Sequence, residues 1–235
     1  MDCISILIPT FNRKKFLPLI IRNILNQSYP HDKLEVIIDD DGSEKLLDKE
    51  NLEKMKKVLH PIKIKYIDNK PKRTIGKKRN DLIKSATHKI VVFMDDDDLY
   101  FPTYIQYSYE TLKKEKAGCV GSNKMLFTMS DQDYDTYKID CGDHKHLIHE
   151  ATMMMTKKFF KASCGFADSS QGEGNKIFYG IESKVFITDI FMIMCCLQHS
   201  GNTIDKLQFT KEELKIDLQL QDEMKDFLDK ILKNN

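Results

Sequence analysis

Two clusters of aspartates stand directly after apolar runs, and they are the residues best suited to chemistry in this chain. Residues 95–98 follow VVFM, and residues 39–41 follow an apolar run that begins at Leu34. A single acidic dipeptide is usually a solvated turn in which aspartate hydrogen-bonds its own backbone. Adjacent carboxylates repel one another, so two such clusters need a counter-charge. Mg²⁺ and Mn²⁺ bind through one or two carboxylates plus substrate phosphates, and a divalent cation with a diphosphate ligand is therefore the favoured interpretation.

Other metals fit the sequence less well. An EF-hand calcium loop aligned on residues 39–42 would have Ile37 at its first ligand position, and residues 95–98 lack the glycine of that loop. The histidines His144, His146 and His149 have no cysteine or carboxylate at zinc spacing, so a loop without zinc is favoured for them. The six cysteines are scattered without a C-x-x-C pair, which is typical of free thiols in a reducing cytosol.

Basic residues lie between the two acidic clusters, where a diphosphate would need them. Arg73 and Arg79 are the strongest candidates, because guanidinium groups form paired hydrogen bonds with carboxylates and phosphates. The neighbouring lysines are more simply a solvated surface. They are Lys70, Lys72, Lys77 and Lys78.

The first hundred residues alternate between strand and helix patterns, which predicts a buried parallel sheet with right-handed crossovers. Ligands bind outside the carboxyl ends of such strands, and both acidic clusters fall there. The predicted strands cover residues 4–9, 34–38, 62–67 and 90–94, and the predicted helices include residues 16–25 and 75–86.

The second half is less regular and predicts a mixed α+β region. A helix is expected at 104–116, a strand at 119–129, polar loops at 130–149 and 169–175, and a buried strand or core helix at 186–197. Thr210 and Glu213 form a capping box that predicts the start of a C-terminal helix. The apolar stripe of that helix could pack on its own domain or on a second subunit in a homodimer. It consists of Met224, Phe227, Leu228, Ile231 and Leu232.

Composition excludes several classes of protein. The 235 residues carry a formal net charge of +1, and 41% of them are hydrophobic, so a nucleic-acid-binding surface is not expected. The first residues, MDCISILIPTF, lack the features of a signal peptide. No run approaches the roughly 18–20 apolar residues that a membrane-spanning helix needs. A cytoplasmic location without a transmembrane segment is the expectation.

Four motifs in one order carry a resemblance to a known family. SILIPTFNR is followed by IIDDDGS, by Asn69, Gly76 and the pair Arg79–Asn80, and then by VVFMDDDD. In this order and spacing the chain resembles the family-two inverting glycosyltransferases with the GT-A fold. The resemblance covers residues 4–100 and implies a Rossmann-like, mostly parallel central sheet flanked by helices. It also implies an enzyme that moves a sugar from a nucleotide-diphosphate donor, most simply a UDP-sugar, to a hydroxyl of a glycan, protein or lipid-linked acceptor.

The resemblance implies one domain and roles for particular residues. Residues 1–100 would be the nucleotide-binding half, 101–204 the acceptor-side half and 205–235 a C-terminal helical extension of a single domain, 1–235. Asp97 would bind Mn²⁺ or Mg²⁺, and His199, in a late histidine segment, would approach the diphosphate and the metal. Asp98 matches a frequent extra aspartate. The residues implied to bind the nucleotide-sugar are Pro9, Thr10, Asn12, Asp40, Arg73, Arg79, Asp95 and Asp96.

The catalytic base is where the resemblance is weakest. The family carries an acidic pair on a later loop, whose last carboxylate deprotonates the acceptor, but the loop here reads GEGN. Glu173 therefore stands alone as the expected base, with Asp168 as its alternate.

Two rival functions stay open at this stage. A sugar nucleotidyltransferase would carry a glycine-rich loop after the first strand, where this chain has PTFNRKK. A degenerate member of the family would bind a nucleotide-sugar or glycan without turnover, and the missing acid in GEGN is the feature that favours it.

Overall fold

A computed structural model describes residues 1–142, 144–199, 202 and 210–233, without the side chain of His146. The expected boundary between the acceptor-side half and the C-terminal extension, at 204/205, lies outside the described residues. The strands are β1 (Ile4–Thr10), β2 (Leu34–Asp40), β3 (Lys63–Asp68), β4 (Ile90–Phe93), β5 (Leu99–Tyr100), β6 (Cys119–Gly121), β7 (Lys124–Met129), β8 (Asp135–Asp140), β9 (Met154–Thr156), β10 (Val185–Ile187), β11 (Met194–Gln198) and β12 (Lys215–Ile216). The helices are α1 (Leu17–Leu25), α2 (Lys49–Val58), α3 (Ile75–Ser85), α4 (Tyr104–Lys114), α5 (Lys157–Ala162) and α6 (Asp222–Lys233).

The principal sheet has the strand order β10-β6-β9-β4-β1-β2-β3. Strands β1 to β4 pair in parallel, β10 pairs in parallel with β6, and β9 runs antiparallel between β4 and β6. The α/β class and the mostly parallel sheet expected from the alternating patterns are therefore confirmed. The carboxyl ends of β1, β2 and β4 meet at one edge, which brings the two aspartate clusters together.

Alternating side chains build an apolar layer on each face of this sheet. In β1, Ile6 and Ile8 pack into one layer and Leu7 into the other, and every residue of β1 and β2 is buried. Helix α3 covers the second face with Leu82 and Ile83. Each such side chain contributes about 1.5–3 kcal/mol on burial, so the sheet edge that carries the aspartates is a rigid platform.

A second sheet, with the order β12-β8-β7-β11-β5, lies in the less regular half. The single strand predicted over 119–129 is instead two strands, β6 and β7, which belong to different sheets. The apolar run 186–197 is likewise divided between β10 and β11, with the 3₁₀ turn Ile190–Met192 between them. The apolar composition of these runs did not reveal the breaks, because it carries no information on which strand each piece pairs with.

The C-terminal helix begins later than the sequence predicts. Thr210 and Glu213 do not cap it; Glu212–Leu214 forms a 3₁₀ turn, and α6 starts at Asp222. Its apolar stripe packs on the domain itself, where Leu228 is fully buried and the ring of Phe227 lies 5.2 Å from the guanidinium carbon of Arg22. No helix in the described ranges is long and apolar enough to cross a lipid bilayer.

Candidate active site

A cleft of about 420 Å³ opens at the carboxyl edge of the principal sheet. Its wall combines the end of β1, the start of α3 and the 95–98 turn with the loop at 170–173 and with Glu150. Both halves of the chain therefore contribute side chains to one cavity, as expected for a ligand site at the end of parallel strands.

Two tyrosines fix the acidic turn. The Tyr100 hydroxyl accepts a hydrogen bond from the Asp95 amide at 2.8 Å, and the Tyr104 hydroxyl donates to the Phe93 carbonyl at 2.9 Å. The two rings stack with centroids 5.1 Å apart. Asp98 also lines the cleft, and its Oδ1 accepts the Leu197 amide of β11 at 3.2 Å.

Asp97 and Asp96 sit in opposite electrostatic environments. Asp97 lies 3.2 Å from Arg13 Nη2 and 3.3 Å from His199 Nε2. Burial alone would raise the pKa of Asp97, but the His199 hydrogen bond and the Arg13 charge hold that pKa below its ordinary value. Burial, together with the charge of Asp97, raises the pKa of Asp96 well above its ordinary value.

The chemistry of this turn fits a hard divalent cation. Asp96 Oδ2 is buried and has no hydrogen-bond partner among the described residues. A cation beside Asp96 and Asp97 would supply the missing counter-charge, and carboxylate oxygens are the ligands that Mg²⁺ and Mn²⁺ prefer. In the described part of the chain, no group of three His, Cys, Asp or Glu side chains is placed to hold a metal by itself.

Arg79 joins the acidic turn to the later loop. It donates from Nη1 and Nη2 to both oxygens of Asp95, at 3.0 and 2.9 Å, and from Nε to Glu173 Oε1 at 3.2 Å. Its guanidinium lies 4.8 Å from the centre of the Phe93 ring. Although burial opposes the charge of Arg79, the carboxylates around it raise its pKa, so this residue is permanently charged. The structure thus brings Asp95 and the expected base Glu173 to opposite sides of one arginine.

Basic side chains form the opposite part of the cleft. Lys78 donates to the Thr10 carbonyl at 2.7 Å and forms a buried ion pair with Asp41. Lys72 lies over the Phe11 ring, with its ammonium 4.2 Å from the ring centre. Arg73 lines the cleft while it pairs with Asp39 and Asp81.

Some residues expected in the site have other positions. Asp40 does not line the cleft: it is fully buried and accepts hydrogen bonds from the amides of Gly42 and Leu46, at 2.8 and 2.7 Å, and from the Tyr66 hydroxyl at 2.6 Å. Its carboxylate therefore shapes the loop after β2 and has no free oxygen for a nucleotide base. Asn12 adopts a left-handed backbone (φ 55°) and its Oδ1 accepts the Glu44 amide, which ties the loops after β1 and β2 together. Pro9 and Thr10 line the cleft as expected.

The loop that carries Glu173 is docked on the start of α3. The Gly76 amide donates to the Ser169 carbonyl at 3.0 Å, and a Cβ at Gly76 would lie 1.9 Å from the Ala167 carbonyl oxygen. Asp168 is exposed and accepts the Thr74 hydroxyl, which caps α3, so it secures the loop from outside the cleft. Glu173 is 6% exposed and lines the cleft, so of the two acids named as bases it is the one with access to a ligand.

Sequence reasoning missed several contributors to the cleft, including Arg13, which pairs with Asp97. Phe11 and Glu150 both line it, and Glu150 Oε1 accepts the Gly174 amide at 2.9 Å. Phe11 follows the PT of PTFNR, and its place at the carboxyl end of β1 could have predicted that its ring lines a ligand site. Glu150 had no local signal, because its position depends on a glycine 24 residues away.

Comparisons with known proteins agree with this geometry. Residues 5–171 match the family model described as glycosyl transferase family 2. The chondroitin synthase of Escherichia coli is 31% identical over 159 residues, which cover 66% of this chain and 22% of that protein. A GalNAc(5)-diNAcBac-PP-undecaprenol beta-1,3-glucosyltransferase of Campylobacter jejuni is 35% identical over 98 residues, or 42% of this chain and 30% of that protein. The chain thus spans less than a third of either relative.

Solved structures share the fold. S. aureus TarS 1-349 in complex with UDP-GlcNAc superposes with a TM-score of 0.62 at 13% identity, covering 86% of this chain and 60% of that one. A mannosyltransferase of Pyrobaculum calidifontis in complex with GDP-Man and Mn²⁺ gives a TM-score of 0.61 at 15% identity, covering 83% and 56%. The family model spans most of the chain, the fold agrees, and three of the four sequence motifs contribute side chains to one cleft, so the chain belongs to glycosyl transferase family 2.

Proposed function

We propose that this chain is a metal-dependent inverting glycosyltransferase that moves a sugar from a nucleoside diphosphate to an acceptor hydroxyl. One observation supports the proposal most strongly: acidic residues 95–97 and the basic side chains of Lys72, Lys78 and Arg79 line the same cleft at the end of β4. Carboxylates suit a divalent cation, and the basic groups suit the diphosphate that the cation accompanies.

The donor would lie along the end of β1. Pro9, Thr10 and Phe11 would contact the nucleoside, and Arg73 would complete this part of the site. A uridine nucleotide is the preferred donor, since TarS was solved with UDP-GlcNAc. The mannosyltransferase was solved with GDP-Man and Mn²⁺, so guanosine nucleotides belong in the same test.

Asp97, beside the unpartnered Asp96 oxygen, would hold Mn²⁺ or Mg²⁺. When bound, such an ion neutralises the negative charge that develops on a departing diphosphate. Arg79 keeps Asp95 fixed at the edge of this site through two hydrogen bonds. His199 orients Asp97 through the 3.3 Å contact at its Nε2.

Inversion requires direct attack by the acceptor oxygen on the anomeric carbon, on the side away from the leaving diphosphate. A carboxylate must take the hydroxyl proton as the bond forms. Glu173, the acid expected for this role, and Glu150 both line the cleft, and their charges interact with that of Arg79. Both come from the acceptor-side half of the chain.

Calorimetric titration tests the donor site directly. UDP, GDP, UDP-GlcNAc and GDP-Man would be titrated with and without Mn²⁺ into the wild type, into Asp97→Asn and into the exposed control Asp32→Asn. The proposal expects a nucleotide to bind in a Mn²⁺-dependent way, and Asp97→Asn to weaken that binding by about 10- to 100-fold. Nucleotide affinity that is the same with and without Mn²⁺ and in Asp97→Asn would refute the metal-dependent site. Tight binding of a nucleotide-sugar that is never cleaved to its nucleoside diphosphate would favour a non-catalytic binding protein.

A further inference from the structure

We propose that Glu150 accepts the proton of the attacking hydroxyl, and that Glu173 instead holds Arg79 in place. The inference rests on the proposed sugar transfer and assigns the proton acceptor within it. The two glutamates come from segments 23 residues apart in sequence, yet both line the cleft.

The carboxylate of Glu150 occupies the space beside Gly174. A Cβ built on Gly174 would lie 2.3 Å from Glu150 Oε1 and 2.9 Å from both Cδ and Cγ of Glu150, and no other atom is as near. The Glu150 carboxylate therefore lies where a side chain of residue 174 would be. It is held there by the Gly174 amide, which donates to Oε1 at 2.9 Å. The glycine makes room for a carboxylate from another segment, so the GEGN loop presents two acids to the cleft.

The two carboxylates differ in how much of their charge is already engaged. Glu173 Oε1 accepts Arg79 Nε, and its side chain is 8% exposed. Glu150 is half-buried, and its carboxylate accepts a single hydrogen bond from the described residues, that of an uncharged amide. Proton transfer to Glu173 would neutralise its half of the ion pair with Arg79, whereas Glu150, held by a neutral amide, can take a proton from a substrate hydroxyl without losing a charge pair.

The charged groups around Glu150 agree with this division. Glu173 and Arg79 both interact electrostatically with Glu150. Burial, together with the charge of Glu150, raises the pKa of Glu173, while Arg79 opposes that rise. The Arg79 charge thus lies close to both glutamates and lowers the repulsion between them.

In the transfer step the acceptor O–H bond breaks, and its proton forms a new O–H bond on Glu150. The freed oxygen electron pair forms the bond to the anomeric carbon, and the anomeric C–O bond to phosphate breaks with its electron pair on the departing nucleoside diphosphate. Glu150 then returns the proton to solvent.

The experiment measures nucleoside diphosphate release from UDP-GlcNAc and GDP-Man with Mn²⁺, with water as the attacking hydroxyl, beside calorimetric nucleotide affinity. Glu150→Gln keeps an oxygen that can accept the Gly174 amide but cannot take a proton. We expect its release rate to fall by about 10²- to 10⁴-fold with nucleotide affinity unchanged. Glu182→Gln is the matched control, because Glu182 also accepts a glycine amide, that of Gly180, but lies outside the cleft lining.

A rescue pair separates proton transfer from a structural role. Glu150→Ala empties the space, and Gly174→Asp can refill it with a carboxylate, because Gly174 has none of the left-handed backbone that would strain a side chain. We expect the double variant E150A/G174D to release nucleotide at least about tenfold faster than Glu150→Ala, and E150A/G174A to be no faster than Glu150→Ala.

Each outcome has a separate meaning. An active wild type with an equally active Glu150→Gln overturns the role of Glu150 and leaves the transferase intact. Loss of activity in both Glu150→Gln and E150A/G174D, with folding and nucleotide affinity preserved, also overturns it. A wild type that releases nucleotide from neither donor overturns the proposed function, and the assignment of Glu150 with it.

Discussion

At the scale of single residues, three successive aspartates do three different things. Side chains alternate along a strand, so Asp39 and Asp41 point to the face covered by α3, where Arg73 and Lys78 pair with them, and Asp40 points to the other face. The period of two was available from the sequence: Ile37 shares a face with Asp39, and Ile38 shares one with Asp40. The motif alone singled out Asp40, because a motif records order along the chain and carries no information on direction.

Replacing Asp40 with alanine is expected to destabilise the fold. The change leaves the buried amides of Gly42 and Leu46 and the Tyr66 hydroxyl without their acceptor, at a cost of about 1–3 kcal/mol for each buried group that stays unsatisfied. Urea unfolding followed by circular dichroism measures the change in free energy. The exposed Asp32→Ala is the control and should stay within about 0.5 kcal/mol of the wild type. An Asp40→Ala variant of wild-type stability that had lost only nucleotide binding would restore Asp40 as a ligand contact.

The residue that sequence reasoning could not find is Glu150. Its carboxylate reaches the cleft because Gly174 has no side chain, and the two are brought together by tertiary packing. Arg79, by contrast, was predictable: an arginine at the start of a helix between two acidic strand ends has carboxylates on either side once the sheet forms. Local motifs therefore predict side chains that stand at strand ends, and they miss side chains whose place depends on a distant gap.

At the scale of elements, Glu35 connects three parts of the principal sheet. From β2 it accepts the Ser5 hydroxyl of β1 at 2.5 Å and the amide of Thr87, just before β4, at 2.7 Å. Burial alone would raise the pKa of Glu35, but these hydrogen bonds hold it below its ordinary value. A carboxyl whose pKa is lower in the folded than in the unfolded chain stabilises the fold above the unfolded pKa, and that stabilisation disappears as the pH falls through the folded pKa.

Glu35→Gln is therefore expected to lose stability in a pH-dependent way. At pH 7 the variant should be less stable by about 1 kcal/mol, the difference between charged and neutral hydrogen bonds. Below the pKa of Glu35 in the folded protein the wild type is protonated as well, and the gap should close. Urea titrations of both proteins between pH 7 and pH 3 measure this difference in the free energy of unfolding. A gap that stayed constant or widened toward acid would contradict this account.

Gly76 shows how one element holds another in place. An alanine there would bring its Cβ to 1.9 Å from the Ala167 carbonyl and 2.9 Å from Glu173 Cβ, so the loop would have to move even though alanine favours the helix. We expect Gly76→Ala to lower the rate of nucleotide release by about 100-fold, because small displacements of positioning groups are costly. Lys84→Ala, exposed on the same helix, should leave the rate unchanged. Wild-type activity in Gly76→Ala would show that the position of the loop is not important.

At the scale of the whole molecule, the sequence predicted the sheet well and the rest less well. Long apolar runs joined by helical crossovers predict a parallel sheet, and the first four strands form one. The second half consists of strands of two to six residues shared between two sheets, whose pairing depends on contacts far apart in sequence. The C-terminal helix was recognised from its stripe but misplaced at its start, because the TKEE segment leads into a 3₁₀ turn and not into α6.

Arg79 has a consequence for how the two halves respond to a ligand. The Arg79 guanidinium binds Asp95 of the first half and Glu173 of the second. A donor that contacts Asp95 therefore also fixes Arg79, to which the acceptor-side loop is bound through Glu173. With nucleotide and Mn²⁺, we expect amide hydrogen exchange to slow in residues 167–175 as well as in residues 95–98, and the slowing at 167–175 to vanish in Arg79→Lys.

Coupling of this kind is reciprocal. An acceptor that orders the loop from its own side must tighten nucleotide binding by the same factor by which the nucleotide tightens acceptor binding. The partner pair Asp95 and Glu173 would then make this protein hold its donor most firmly when an acceptor is present.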